Sequence, residues 1–334
     1  MDREKEKAME LHKNSIIVQA LDFTPEDKFT PEIYPALKAS GITAMNLTIS
    51  RPYYNFQETL LSLYHYYSVI EDIGSQKIQV CKTAEDIKKA KQSNQVAIIL
   101  GLQNMKPIDD KIQLLTILSK LGIRIIQLTY QNRNLVGDGC NEKNDCGLTR
   151  FGEKVVPEMN RLGLLIDLSH VGPQTTMDAL ELSEKPCAFT HTCAKARFDH
   201  IRNKTNDQLQ ALSDKGGVIG IAAYSPFYHH TQRPTIEDYL DQIDYVAELV
   251  GVDHVGIGLD LVYNRDPAFH ENVKKTYPEV VMSYQWDTIY PEGLENITKL
   301  PSITQGLVNR GYSNRDIKKI LGTNFLRLFE KIWK

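Results

Sequence analysis

The sequence predicts an α/β chain folded as a closed (β/α)8 barrel of the TIM type, and three observations carry the prediction. Short apolar runs rich in β-branched residues recur eight times between residues 15 and 262. Stretches with helical spacing separate most of them. The glycine-rich phosphate loop that usually follows the first strand of a doubly wound open sheet is missing.

The runs are, in order, SIIVQALD (15–22), ITAMNLTI (42–49), QVAIILGL (95–102), IRIIQLTY (123–130), LLIDLS (164–169), PCAFTH (186–191), GVIGIAAY (217–224) and HVGIGLDL (254–261). Each is nearly continuous in apolar residues, as expected of a parallel strand covered on both faces. Between them, IDDKIQLLTILSKLG, RFGEKVVPEMNRLG, TTMDALELSE, NDQLQALSDKG and TIEDYLDQIDYVAELVG repeat apolar residues at helical spacing. Thr or Asp stands at several of their starts and Gly at several of their ends, which are the residues that cap helices there. YNFQETLLSLYHYYSVI (54–70) carries aromatics at the same spacing and reads as a packed helix face, with a homo-oligomer interface as the alternative. No repeat, low-complexity tract or linker divides the chain. Residues 1–334 are therefore expected to form one domain, with the barrel over about 15–262 and a trailing loop and helices over 263–334.

Composition narrows the function classes. Of 334 residues, 42% are hydrophobic and 24% charged, and the net charge is −3, so no basic stripe suited to nucleic acid is present. No apolar run approaches the roughly 20 residues of a membrane span, and the charged start MDREKEKAMELHKNS lacks the core of a signal peptide. A cytoplasmic location is expected. The five cysteines, at positions 81, 140, 146, 187 and 193, are odd in number and agree with reduced thiols.

In a barrel of this kind the active site is built at the carboxyl ends of the strands. Read off the sequence, those ends supply Asp22, Gln103 and Asn104, Tyr130, His170, His191 and Asp260. Two histidines on adjacent strands with aspartates elsewhere on the rim form a metal-hydrolase pattern, because neutral imidazole and carboxylate are ligands that zinc accepts at an open catalytic site. Capping of strand ends by the same side chains is the structural alternative.

The segments GLTRFGEKVVPEMNRLGLLIDLSHVGPQTTMDAL, KPCAFTHT, HIRNKTNDQLQALSDKGGVIGI, DHVGIGLD and RGYSNRDIKKILGTNFLRLFE together resemble the membrane (renal) dipeptidase family of zinc peptidases, which is amidohydrolase-like. The resemblance runs from about residue 15 to the end. It implies a barrel with a two-zinc site that hydrolyses dipeptides, in which His170 and His191 bind one zinc. It also implies that Arg202 of HIRN grips the substrate carboxylate, and that Asp260 meets the substrate amine and moves a proton.

The chain departs from the family pattern at three places. Ala20 stands where the family has a histidine before Asp22, Gln103 replaces the bridging glutamate, and Tyr130 replaces a histidine that steadies the oxyanion. An amide brings no negative charge to offset the repulsion of two cations. The expectation is one zinc ion, held by His170 and His191 with help from Asp22, Gln103 or water. The reaction expected is hydrolysis of a dipeptide or small amide-linked amino acid, with Asp260 and Tyr130 acting on the reacting atoms and Arg202 binding the carboxylate. The alternatives are a lyase or isomerase on an amino-acid-like substrate, or a binding protein without catalysis. The loop NLVGDGCNEKNDCG offers Asp138, Cys140, Glu142 and Cys146 near the same rim, or is simply a turn-rich surface loop. His229 and His230 follow the seventh run, and the long stretch 264–297 is expected to cover the site.

Overall fold

Eight parallel strands close on themselves in the computed structural model, which describes residues 2–229, 232–276 and 284–333. They are β1 (Val18–Asp22), β2 (Ala44–Thr48), β4 (Val96–Leu102), β5 (Ile123–Gln127), β6 (Leu165–Asp167), β7 (Ala188–Thr192), β8 (Val218–Ile221) and β9 (Val255–Ile257). Each lies inside one of the eight apolar runs, except that β7 continues one residue past its run to Thr192. Closure comes from two pairings that connect early strands: Gln19 of β1 is in register with Ile257 of β9, and Ala44 of β2 with Ala97 of β4. The short β3 (Ile78–Val80) is an extra parallel strand on the lower half of β4, where Ile78 pairs Val96. The sequence reading missed it because its last two residues, Gln79 and Val80, are only half-buried and it has no apolar run to announce it.

Helices fall where the spacing put them. Helix Gly152–Leu162 ends on Gly163 in the left-handed region at φ 70°, a conformation costly for a residue with a Cβ. Helix Ile236–Val250 begins with a capping box in which the Thr235 side chain and Asp238 satisfy the first backbone donors. The long helix Phe56–Ile73 buries Tyr66 but leaves Leu61 64% and Tyr64 74% exposed. Its aromatics are therefore only partly a packed face. No described helix is long and apolar enough to cross a membrane.

The inside of the barrel is filled in layers. At the amino-terminal end, Val18, Ala20, Ala44, Ala97, Ala188 and Val218 meet Phe325, Phe329 and Trp333 of the carboxyl-terminal helix Asn324–Ile332 and its end. Small residues on the strands make room for these aromatic rings, and Phe329 stacks on Trp333 at 4.0 Å. With that end plugged, the strand carboxyl ends are the face on which a cleft is left.

Candidate active site

The cleft at the strand carboxyl ends encloses a cavity of about 70 Å³. Gln103, Tyr130, His170, Arg202 and Asp260 all line it, and the fully buried His191 lies against His170 and Gln103 of that lining.

His170 and His191 follow β6 and lie within β7, and their Nε2 atoms are 2.9 Å apart. Burial, with the cations Arg202 and Lys204 behind it, pushes the pKa of both well below the ordinary histidine value, so both rings are neutral at pH 7. Gln103 Nε2 lies 3.3 Å from His191 Nε2, while Gln103 Oε1 is buried without a partner among the described residues. Tyr130 stacks on His170 with ring centroids 4.3 Å apart. Lys204 donates to the Val171 carbonyl at 2.7 Å, and its own pKa falls to about 7 because it is buried beside Arg202.

Arg202 is fully buried. Its guanidinium donates to the carbonyls of Ser169 and, at 3.3 Å, His191, and its Nε has no partner among the described residues. Asp260 holds an uncommon backbone conformation for a non-glycine residue, φ 58°, just beyond β9. Burial lifts its pKa to about 6, and Arg202 works against that rise. A carboxyl group that changes charge near pH 6 in a cleft is suited to proton transfer.

Asp22 stands apart from the histidine pair. Its Oδ1 accepts from Thr24 N at 2.9 Å, and burial raises its pKa to about 7. Among the described residues no three His, Cys, Asp or Glu side chains converge into a metal cage. Asp22 therefore does not complete the ligand set expected of it. Ala20 offers no donor atom and packs inside the barrel. The donors available are two imidazole nitrogens and, from Gln103, a buried acceptor oxygen with nothing to accept from. That set is chemically suited to a metal ion.

The loop after β5 supplies no ligand. Asp138 is held by Arg133 and accepts from Cys146 N at 2.7 Å, Glu142 accepts from Arg133 N at 2.7 Å, and Cys140 is buried against Gln131. Cys187 and Cys193 are buried too, and burial pushes their thiols up to about 12. His229 is 3.5 Å from Asp238, and His230 lies outside the described residues. The long stretch after Asp260 does roof the cavity in its described parts, through Arg265, Phe269, His270, Ile289 and Tyr290, with residues 277–283 outside the description. Sequence reading named that stretch but not these side chains. Tyr224 and Phe227, from the segment after β8, were missed as well; aromatics just past a strand end were the available signal.

Comparison with known proteins now bears on this geometry. The model of the membrane dipeptidase family (peptidase family M19) matches residues 34–283 and 277–334. The chain belongs to the membrane dipeptidase family. Dipeptidase tcpJ of Claviceps purpurea is 27% identical over 267 residues, which are 79% of this chain and 57% of that relative. The membrane dipeptidase fold of this chain thus spans little more than half the length of that curated relative. Among solved structures, an amidohydrolase from Pseudomonas aeruginosa superposes with a TM-score of 0.90 at 32% identity, covering 98% of this chain and 99% of that one. A metallo peptidase from Rhodobacter sphaeroides, liganded with a phosphinate mimic of the dipeptide L-Ala-D-Ala, shares the fold with a TM-score of 0.78 at 19% identity over 96% of this chain and 100% of that one.

Proposed function

We propose that this chain is a metal-dependent, dipeptidase-like hydrolase that cleaves a dipeptide or a small amide-linked amino acid with a single zinc ion. The observation that carries the reading is the approach of His191 Nε2 to within 2.9 Å of His170 Nε2, where His170 lines a cavity that Arg202 and Asp260 also line. Two neutral imidazoles aimed at one point are a poor ion pair but a good pair of ligands. His170, His191 and the Gln103 amide oxygen would hold the ion. When bound, it supplies Lewis acidity to a carbonyl and makes water more acidic.

The residues of the chain do the rest. Asp260 accepts a proton from the attacking water and passes it to the leaving amine. Arg202 turns its unpartnered Nε toward the substrate carboxylate, and Arg265 gives the roof a second cation. Tyr130 brings a phenol to the same cavity, placed to donate to the carbonyl oxygen as it gains charge. The aromatic wall of Phe23, Tyr224, Phe227 and Tyr290 excludes water and favours substrates with an apolar side chain. Five free cysteines suit a reducing compartment such as the cytoplasm.

The test is a panel of dipeptides assayed after chelation and after Zn(II) is added back, together with elemental analysis of the purified protein. Turnover restored by Zn(II), about one ion per chain, and loss of both in His170→Ala and His191→Ala are expected. Absence of cleavage across the panel, or a protein that takes up no ion, would overturn the reading.

A further inference from the structure

Behind His191 lies a chain of hydrogen bonds that the reaction does not use. Asp167, the last residue of β6, is buried and accepts four: from Ser169 N at 3.0 Å, Ser169 Oγ at 2.6 Å, Thr190 N at 3.1 Å and Thr190 Oγ1 at 2.6 Å. Both hydroxyl protons are thereby committed to the carboxylate, which leaves the two hydroxyl oxygens as acceptors only. Each faces a donor position of the same residue. Ser169 Oγ receives His191 N at 3.1 Å, and Thr190 Oγ1 lies 2.8 Å from His191 Nδ1.

We infer that Asp167 and Thr190 are positioning residues that fix His191 as its Nδ1–H tautomer and so keep the bare lone pair of Nε2 turned into the cavity. A bare Nδ1 would set two lone pairs against each other across that 2.8 Å contact. The other side of the ring agrees with this assignment. His191 Nε2 is approached by His170 Nε2 at 2.9 Å and by the Gln103 amide nitrogen at 3.3 Å, both able to donate, and His170 Nδ1 is buried without a partner among the described residues, as a bare nitrogen would be. In the metal-free chain, a proton on His191 Nδ1 and one on His170 Nε2 satisfy the contacts from Thr190 to His170, with the Gln103 amide sharing the His191 Nε2 lone pair; a bound ion would take the place of the His170 Nε2 proton, which would move to Nδ1.

The backbone is built to hold this arrangement. A Cβ at Gly220 of β8 would lie 2.1 Å from the Thr190 carbonyl oxygen, and one at Gly258 would lie 1.8 Å from it. The backbone at Gly220 and Gly258 thus packs on the Thr190 carbonyl more closely than a residue with a Cβ would allow. Metal-ligating histidines generally have their second nitrogen oriented in this way, and loss of the orienting partner weakens metal binding about 10- to 100-fold. The inference rests on the reading above for what His191 does, but not for where its proton sits.

Long-range ¹H–¹⁵N correlation of the histidine-labelled, chelator-treated protein at neutral pH reads the tautomer directly and needs neither substrate nor metal. The wild type is expected to show His191 protonated at Nδ1. In Asp167→Asn the amide donates to Thr190 Oγ1, the hydroxyl turns to His191 Nδ1, and the tautomer inverts to Nε2–H. Thr190→Val loses the pure Nδ1–H signature and weakens Co(II) binding at least about tenfold, whereas Thr190→Ser retains both. A wild-type His191 protonated at Nε2 overturns the inference even if every variant fails to fold. So does an Asp167→Asn protein that keeps Nδ1–H. If the tautomer is as stated but no ion binds, it is the hydrolase reading that fails.

Discussion

Asp260 sets the pH range of the proposed hydrolysis. As a general base it must be ionised, and burial places its pKa at about 6. kcat/KM is therefore expected to rise with pH through about 6 and to level off above it. Asp260→Asn should remove that limb and lower kcat by about 10²- to 10⁴-fold, measured on the best dipeptide of the panel. Gln103 makes a second prediction at this scale. Gln103→Glu returns a carboxylate to the histidine pair, and metal affinity should rise at least about tenfold in a competitive chelator titration, because a charged oxygen attracts a cation that an amide only meets as a dipole. An unchanged affinity would mean that position 103 faces no ion. Both residues were legible as strand-end polar groups. Asp167 was not singled out, since an acid inside LLIDLSH shows nothing in sequence of the four donors that gather on it.

At the scale of elements, the strands and their capped helices were legible because each carries its own signal: a continuous apolar run, a Thr or Asn before a helix, a Gly after it. The segment after β9 carries none. Its Arg265 reaches the cavity by lying over the Tyr290 ring at 4.4 Å and donating to the Trp286 carbonyl, contacts with residues more than 20 positions further along the chain. Arg265→Gln is expected to raise KM for carboxylate-bearing substrates several-fold with little change in kcat, since the residue orients without touching the reacting atoms. A fall in kcat at constant KM would assign it a different task. On the opposite side of structure and function, Thr235→Ala removes the cap of helix Ile236–Val250. A loss of about 1 kcal/mol in urea unfolding is expected, with activity intact.

For the whole molecule, Asp22 couples folding to pH. Its carboxyl titrates at about 7 in the folded chain, against an ordinary value of 3.8, because it is buried. The folded state therefore binds a proton that the unfolded chain releases between about pH 4 and 7. Stability is fullest below that window and declines as pH rises through it, by on the order of a few kcal/mol from this group. Asp22→Asn keeps the bond from Thr24 N and should flatten the decline; an unchanged slope in urea midpoints from pH 4 to 7 would assign it to another group. By itself the sequence determined the eight strands, their order, the capped helices, and the histidines and aspartate at the strand ends. These follow from local patterns, since burial on both faces and backbone capping leave their mark residue by residue. Only the tertiary structure decided that His170 and His191 meet while Asp22 does not join them, that Arg265 and five aromatic rings besides Tyr130 complete the cavity, and that Asp167 and Thr190 stand behind His191. Those facts depend on barrel closure, which brings residues far apart in the chain to within a hydrogen bond of each other, and no local pattern encodes such a distance.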